Sequence, residues 1–166
     1  MSMSPTATEA IDRKHIGHRF PPFGSLIEAG RIRLFCKAIG ETSAVHLDAD
    51  AARRAGYRNI LAPITFPTAI AMDNPNPRCI IELAGVDIAW VLHGEEHYEY
   101  FEPICAGDEI TTELQITDIY AKKGGALQFI VCELRMRNQS SQPVCNVRRS
   151  LVIRRPQNTK APAGKP

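Results

Sequence analysis

Four stretches in the second half of the chain alternate polar and apolar residues, at 95–103, 108–123, 125–138 and 143–155. A period of two places every other side chain on one face of an extended strand, so this half must be sheet. Gly124–Gly125 and the run "NQSSQP" supply hairpin turns, which join the last three strands into an antiparallel meander.

The first half carries a different signal. Within "PPFGSLIEAGRIRLFCKAIG" a short strand is predicted at 23–28, followed by a helix over 29–39 in which Ile32, Phe35, Cys36 and Ile39 recur at helical spacing. Asp48 suits the N-cap of a short helix, and Gly56 suits the left-handed position that ends it. A third helix is expected to begin between Pro63 and Phe66, with Pro67 arguing for the later start. The loop "DNPNPRC" at 73–79 interrupts it, because two prolines forbid continued helix. These elements predict an α+β fold, one curved antiparallel five-stranded sheet wrapped around a central helix. Such a sheet has open edges, and pairing with a second copy would cover one of them, so a dimer is expected.

With 166 residues, the chain has the length of one domain, expected over 13–155 between a flexible N-terminus at 1–12 and a flexible tail at 156–166. A net charge of +2 gives no reason to expect nucleic acid. Arg148, Arg149, Arg154 and Arg155 do cluster late, either as a solvated strand face or as a phosphate contact. The five cysteines include no CxxC pair and suggest a reduced, cytoplasmic protein. Neither a signal peptide nor an apolar run of membrane-spanning length is seen, so no membrane partner is expected.

"HGEEH" at 93–97 formally matches a zinc-peptidase signature. That chemistry needs both histidines on one helical face, whereas the alternation here predicts a strand. In a strand His93 and His97 lie roughly 13 Å apart, too far to share an ion. No metal is expected.

The stretch "GETSAVHLD" at 40–48 places Glu41 five residues before His46, with Thr42 and Ser43 between. In a loop, such a pair can converge on one water molecule, as addition to an activated double bond requires. An imidazole titrating near neutrality can give or take that proton. Spacing alone also fits a plain polar loop holding a cap and a surface histidine.

The surrounding residues carry more. "FCKAIGETSAVHLDADAARRAGYRNILAPITFPTAI" resembles the MaoC-like dehydratase/hydratase family, in particular its N-terminal-type domain, and "IGHRFPPF" and "VLHGEEHYEYFEPICAGDEI" extend the likeness over roughly 16–155. The resemblance implies a hot-dog fold and a hydro-lyase that hydrates trans-2-enoyl thioesters or dehydrates 3-hydroxyacyl thioesters. The acyl group would be carried on coenzyme A or acyl carrier protein, with no other cofactor. The family loop reads G-D-x-N-P-x-H. Its Asp falls here on Glu41, its Asn on Ser43, its Pro on Ala44 and its His on His46, so the spacing is kept although three identities differ. A His-Gly pair that opens the central helix in many members is replaced by Ala62 and Pro63, and proline has no N–H to give an oxyanion. That donor would have to come from the amides of Ile64 or Thr65, or from the Thr65 hydroxyl.

On this reading His46 is the acid/base, Glu41 its carboxylate partner and Ser43 the group that orients water. Phe66, Ile70 and Met72 would line the acyl pocket, and Trp90 would border or cap it. The same resemblance admits a non-catalytic hot-dog subunit that pairs with a catalytic one, and a hot-dog thioesterase. A homodimer or a heterodimer fits these alternatives.

Overall fold

The computed structural model describes residues 10–154. The outer parts of both expected termini, and Arg155, lie outside the described residues. Five strands form one antiparallel sheet: β1 (Phe23–Leu26), β2 (Val91–Tyr100), β3 (Glu109–Lys122), β4 (Leu127–Arg137) and β5 (Pro143–Ile153). Their spatial order is β1-β3-β4-β5-β2, which leaves β1 and β2 at the edges. The helices are α1 (Ala29–Ile39), α2 (Ala49–Arg54), α3 (Pro67–Ala71) and α4 (Cys79–Leu83).

The alternation seen in the sequence is the pleat of this sheet. Along β3 the residues Ile110, Thr112, Leu114 and Ile116 are buried, and a register shift between Ile116 and Asp118 then returns Ile119 to the same inward face. Ile130, Cys132, Leu134 and Met136 of β4 and Cys145, Val147 and Ile153 of β5 complete that face. Ile32 and Cys36 of α1, Ile70 of α3 and Ile80 of α4 pack into the same core.

Residues 93–97 lie in β2, in extended conformation, with a bulge between His93 and Glu96. Gly94 is required at that bulge: a Cβ there would stand 2.6 Å from Ser150 Oγ and 2.8 Å from the Ser150 carbonyl oxygen.

Several expectations need correction. Of the four apolar positions in α1, Ile32 and Cys36 are fully buried and Phe35 half-buried, but Ile39 is 51% exposed at the helix end. The central helix is short. Pro67 stands in its first turn after Phe66, and the proline-rich loop separates α3 from α4. The chain enters the core before residue 13, since Ile11 is buried and its N–H donates to Gln128 Oε1 at 2.6 Å. The late arginines do not share one solvated face. Arg148 and Arg154 are exposed, whereas Arg149 points inward with only 14% of its side chain accessible.

All five cysteines are free thiols, four of them buried. Among the described residues no helix is long and apolar enough to cross a membrane.

Candidate active site

The loop that carries Glu41 and His46 is built by its two flanking helices. α1 ends at Gly40, whose φ of +73° is the left-handed turn that glycine adopts without strain. The Glu41 N–H returns to the Cys36 carbonyl oxygen at 2.9 Å, which directs the chain away from the helix. Asp48 opens α2 by accepting the Ala51 N–H at 2.7 Å. Between these caps, Ala44–His46 forms one turn of 3-10 helix, closed by the His46 N–H on the Ser43 carbonyl at 3.1 Å.

Residues 60–62 clamp this loop to the sheet side of the domain. The Leu61 N–H donates to the Val45 carbonyl at 3.0 Å, the Ala62 N–H to Ile104 at 2.8 Å and the Ala106 N–H to Ile60 at 2.8 Å. His46 Nδ1 lies 2.7 Å from the Leu61 carbonyl oxygen. A carbonyl only accepts, so Nδ1 carries the proton and Nε2 of the neutral ring keeps its lone pair.

His46 borders a cleft of about 440 Å³, whose other walls include Tyr57, Leu61, Ile64, Tyr100, Phe101 and Ile104. The Tyr100 hydroxyl donates to the Ile64 carbonyl at 2.9 Å and fixes one rim. Burial raises the Tyr100 hydroxyl pKa well above its ordinary value, so it remains a donor at neutral pH. The Pro63 carbonyl accepts the Phe66 N–H at 2.9 Å, while among the described residues the N–H groups of Ile64 and Thr65 donate to no protein acceptor.

The other residues singled out from the sequence are distributed differently. Glu41 shares the loop with His46 but is not in the cleft wall: its Oε1 accepts the Ser43 N–H at 2.7 Å. That bond, opposed by some desolvation and helped by the Thr42 amide and the His46 charge, holds the Glu41 carboxyl below its ordinary pKa. Ser43 therefore acts on the loop through its backbone. Phe66 and Ile70 are completely buried core, Met72 is 61% exposed, and Trp90 is half-buried against the core. None of these four lines the cleft, because α3 turns Phe66 and Ile70 toward the core. Thr65 is exposed at the turn before α3.

Sequence reasoning missed Leu61, whose contribution is a backbone carbonyl and leaves no side-chain signature. It also missed the wall at 100–104, although the exposed aromatic pair Tyr100–Phe101 beside Pro103 was a visible signal. Among the described residues no three His, Cys, Asp or Glu side chains come together as a metal site.

Residues 14–147 match the family model described as the FAS1-like dehydratase domain region. The chain belongs to that family. It is 33% identical over 146 residues to a UPF0336 protein of Saccharopolyspora erythraea, covering 87% of this chain and 92% of that one. Among solved structures it is similar to a MaoC-like dehydratase, with TM-score 0.77 and 26% identity over 85% of this chain. The match spans only 42% of that longer protein. It shares its fold, at TM-score 0.70 and 20% identity, with the HadBC 3R-hydroxyacyl-ACP dehydratase complex from Mycobacterium tuberculosis, over 83% of this chain and 96% of that one. The five-stranded antiparallel sheet of this FAS1-like dehydratase region is thus the hot-dog fold of the MaoC-like dehydratases.

Proposed function

We propose that the protein is a hydro-lyase of acyl thioesters, hydrating trans-2-enoyl or dehydrating 3-hydroxyacyl groups carried on coenzyme A or acyl carrier protein. The observation that carries this reading is His46, whose Nδ1 is committed to the Leu61 carbonyl at 2.7 Å while the ring borders the 440 Å³ cleft. In hydration, Nε2 takes a proton from water as the water oxygen bonds to the β-carbon, and that proton is returned to the α-carbon. Negative charge passes transiently to the thioester oxygen. The unpartnered amides of Ile64 and Thr65 are the donors nearest in sequence to the position where the family glycine would serve. Glu41, turned onto the Ser43 amide, supports the loop that presents the imidazole. The substrate thioester needs no further cofactor for this chemistry.

A second reading has its own support. Glu41 is engaged by its own loop, Pro63 lacks an N–H, and the chain spans 42% of the MaoC-like dehydratase it matches, as one half of a larger unit would. The chain would then pair with a separate catalytic hot-dog subunit and shape its pocket. Edge strand β2 is the longer free edge for such a partner or for a second copy of this chain.

The test is hydration of a short trans-2-enoyl-CoA by the purified protein alone, beside His46→Ala and Glu41→Ala, with free thiol followed in the same reaction. Loss of double-bond absorbance that His46→Ala abolishes supports the hydro-lyase. Acyl-CoA binding without turnover supports the accessory subunit, and thiol release would point to a thioesterase.

A further inference from the structure

Tyr100 ends β2 in the wall of the His46 cleft, with its hydroxyl on the Ile64 carbonyl. Residues two apart share a strand face, so Tyr98 and then Glu96 follow Tyr100 inward at steps of about 6.6 Å. Ile64 is likewise followed, four residues on, by Thr68 of α3. The two elements stay in contact along this seam. Thr68 Oγ1 donates to Glu96 Oε2 at 2.6 Å and lies 2.6 Å from the Tyr98 hydroxyl, which also donates to Glu96 Oε2.

Strand β5 closes the cluster from below. Arg149 is the cross-strand partner of Glu96, and its Nη2 stands 2.9 Å from Glu96 Oε1, with His93 Nε2 at 3.4 Å from the same oxygen. The Glu96 and Arg149 side chains are only 11% and 14% accessible. A largely buried ion pair, covered by two half-buried hydroxyls, therefore stands beside α3, where Phe66 and Ile70 pack as ordinary apolar core.

This arrangement bears on what the cleft can hold. An acyl chain continued from the cleft past Tyr100 along β2 would meet Tyr98 and Thr68 first, with the Glu96–Arg149 pair behind them. Methylenes placed there would displace hydrogen bonds to a buried carboxylate and satisfy none of its lone pairs. We infer that the Thr68–Tyr98–Glu96–Arg149 cluster sets the acyl length, so that the protein takes thioesters of short acyl groups and excludes long straight chains. The inference rests on the cleft being an acyl-thioester site.

Binding of saturated butyryl-, octanoyl- and dodecanoyl-CoA to the full-length protein, measured by calorimetry below their micellar concentrations, tests it without requiring turnover. An open apolar tunnel would gain up to about fourfold in affinity for each methylene buried. The wild-type protein is expected instead to show no gain beyond butyryl-CoA. Tyr98→Ala, which opens the seam, is expected to bind dodecanoyl-CoA about tenfold or more tightly relative to butyryl-CoA. Thr68→Val keeps the volume and removes one hydroxyl, and is expected to shift the same ratio in the same direction by a smaller factor. Wild-type affinity that climbs steadily with chain length would overturn the length limit and leave the thioester site standing. An unchanged ratio in both folded variants would do the same. Failure to bind any of the three would remove both.

Discussion

His46 Nδ1 and the Leu61 carbonyl oxygen stand 2.7 Å apart, although fifteen residues separate them in the chain. The contact selects one imidazole tautomer and presents Nε2 as the basic nitrogen. On the proposed hydro-lyase function, His46→Ala should lower turnover by about 10²- to 10⁴-fold, the usual range for a positioned acid/base. Folding should suffer little, since one half-buried hydrogen bond contributes about 1 kcal/mol. Steady-state kinetics beside thermal denaturation separates the two effects.

Glu41 accepts the Ser43 N–H at 2.7 Å, and this holds its carboxyl below the ordinary value of 4.5. A carboxyl with a depressed folded pKa contributes to stability above its unfolded pKa and loses that contribution as pH falls through the folded one. The Glu41 side-chain carbon is thus expected to titrate below pH 4.5 by NMR. Ser43→Pro should bring the titration back toward 4.5, since Ser43 has φ −62° and ψ 132°, which proline accepts, and the substitution deletes the donor. A titration unmoved by Ser43→Pro would refute the cause given.

Asp108 is 1% exposed, accepts the Cys105 N–H at 2.8 Å and takes Arg58 Nη2 on both of its carboxylate oxygens. Removing the carboxylate leaves a buried amide unpaired and a guanidinium without its partner. Asp108→Ala should cost about 1–3 kcal/mol, mostly from the orphaned Cys105 amide, since the half-exposed Arg58 can turn to water. Arg58→Ala should cost more, about 3–5 kcal/mol, because it leaves the buried Asp108 carboxylate without its counter-charge. Urea denaturation of the two variants checks the order, and equal losses would contradict it.

Gly94→Ala would drive a Cβ to 2.6 Å from Ser150 Oγ and 2.8 Å from the Ser150 carbonyl oxygen. A hydroxyl can rotate away, but a carbonyl in a paired strand cannot. Overpacking of this kind costs about 1–3 kcal/mol. Ser150→Gly in the same chain should recover only part of it, because the carbonyl contact persists, and a double-mutant cycle measures the split.

The sheet was legible from the sequence because a period of two in 108–123, 125–138 and 143–155 is the pleat itself. The caps were legible for the same local reason: Asp48 needs only the next turn of chain to act, and α2 begins at Ala49. What failed was reach across the fold. Phe66 and Ile70 read from the sequence as acyl-pocket lining, and packing against α1 and the sheet makes them core instead. Arg149 read as one of a solvated basic run, because no local pattern reveals that Glu96 waits on the neighbouring strand.

By itself, then, the sequence determined the order and type of the strands and of α1 to α3, though not α4, as well as the polar loop at 40–48 with Glu41 and His46, all of which rest on neighbours within a few residues. Tertiary structure alone decided that His46 faces a cleft with its tautomer chosen by Leu61, and that Thr68, Tyr98, Glu96 and Arg149 meet. Hydrogen bonds between groups tens of residues apart depend on how the sheet curves over its helices, and that geometry is a property of the whole packed core.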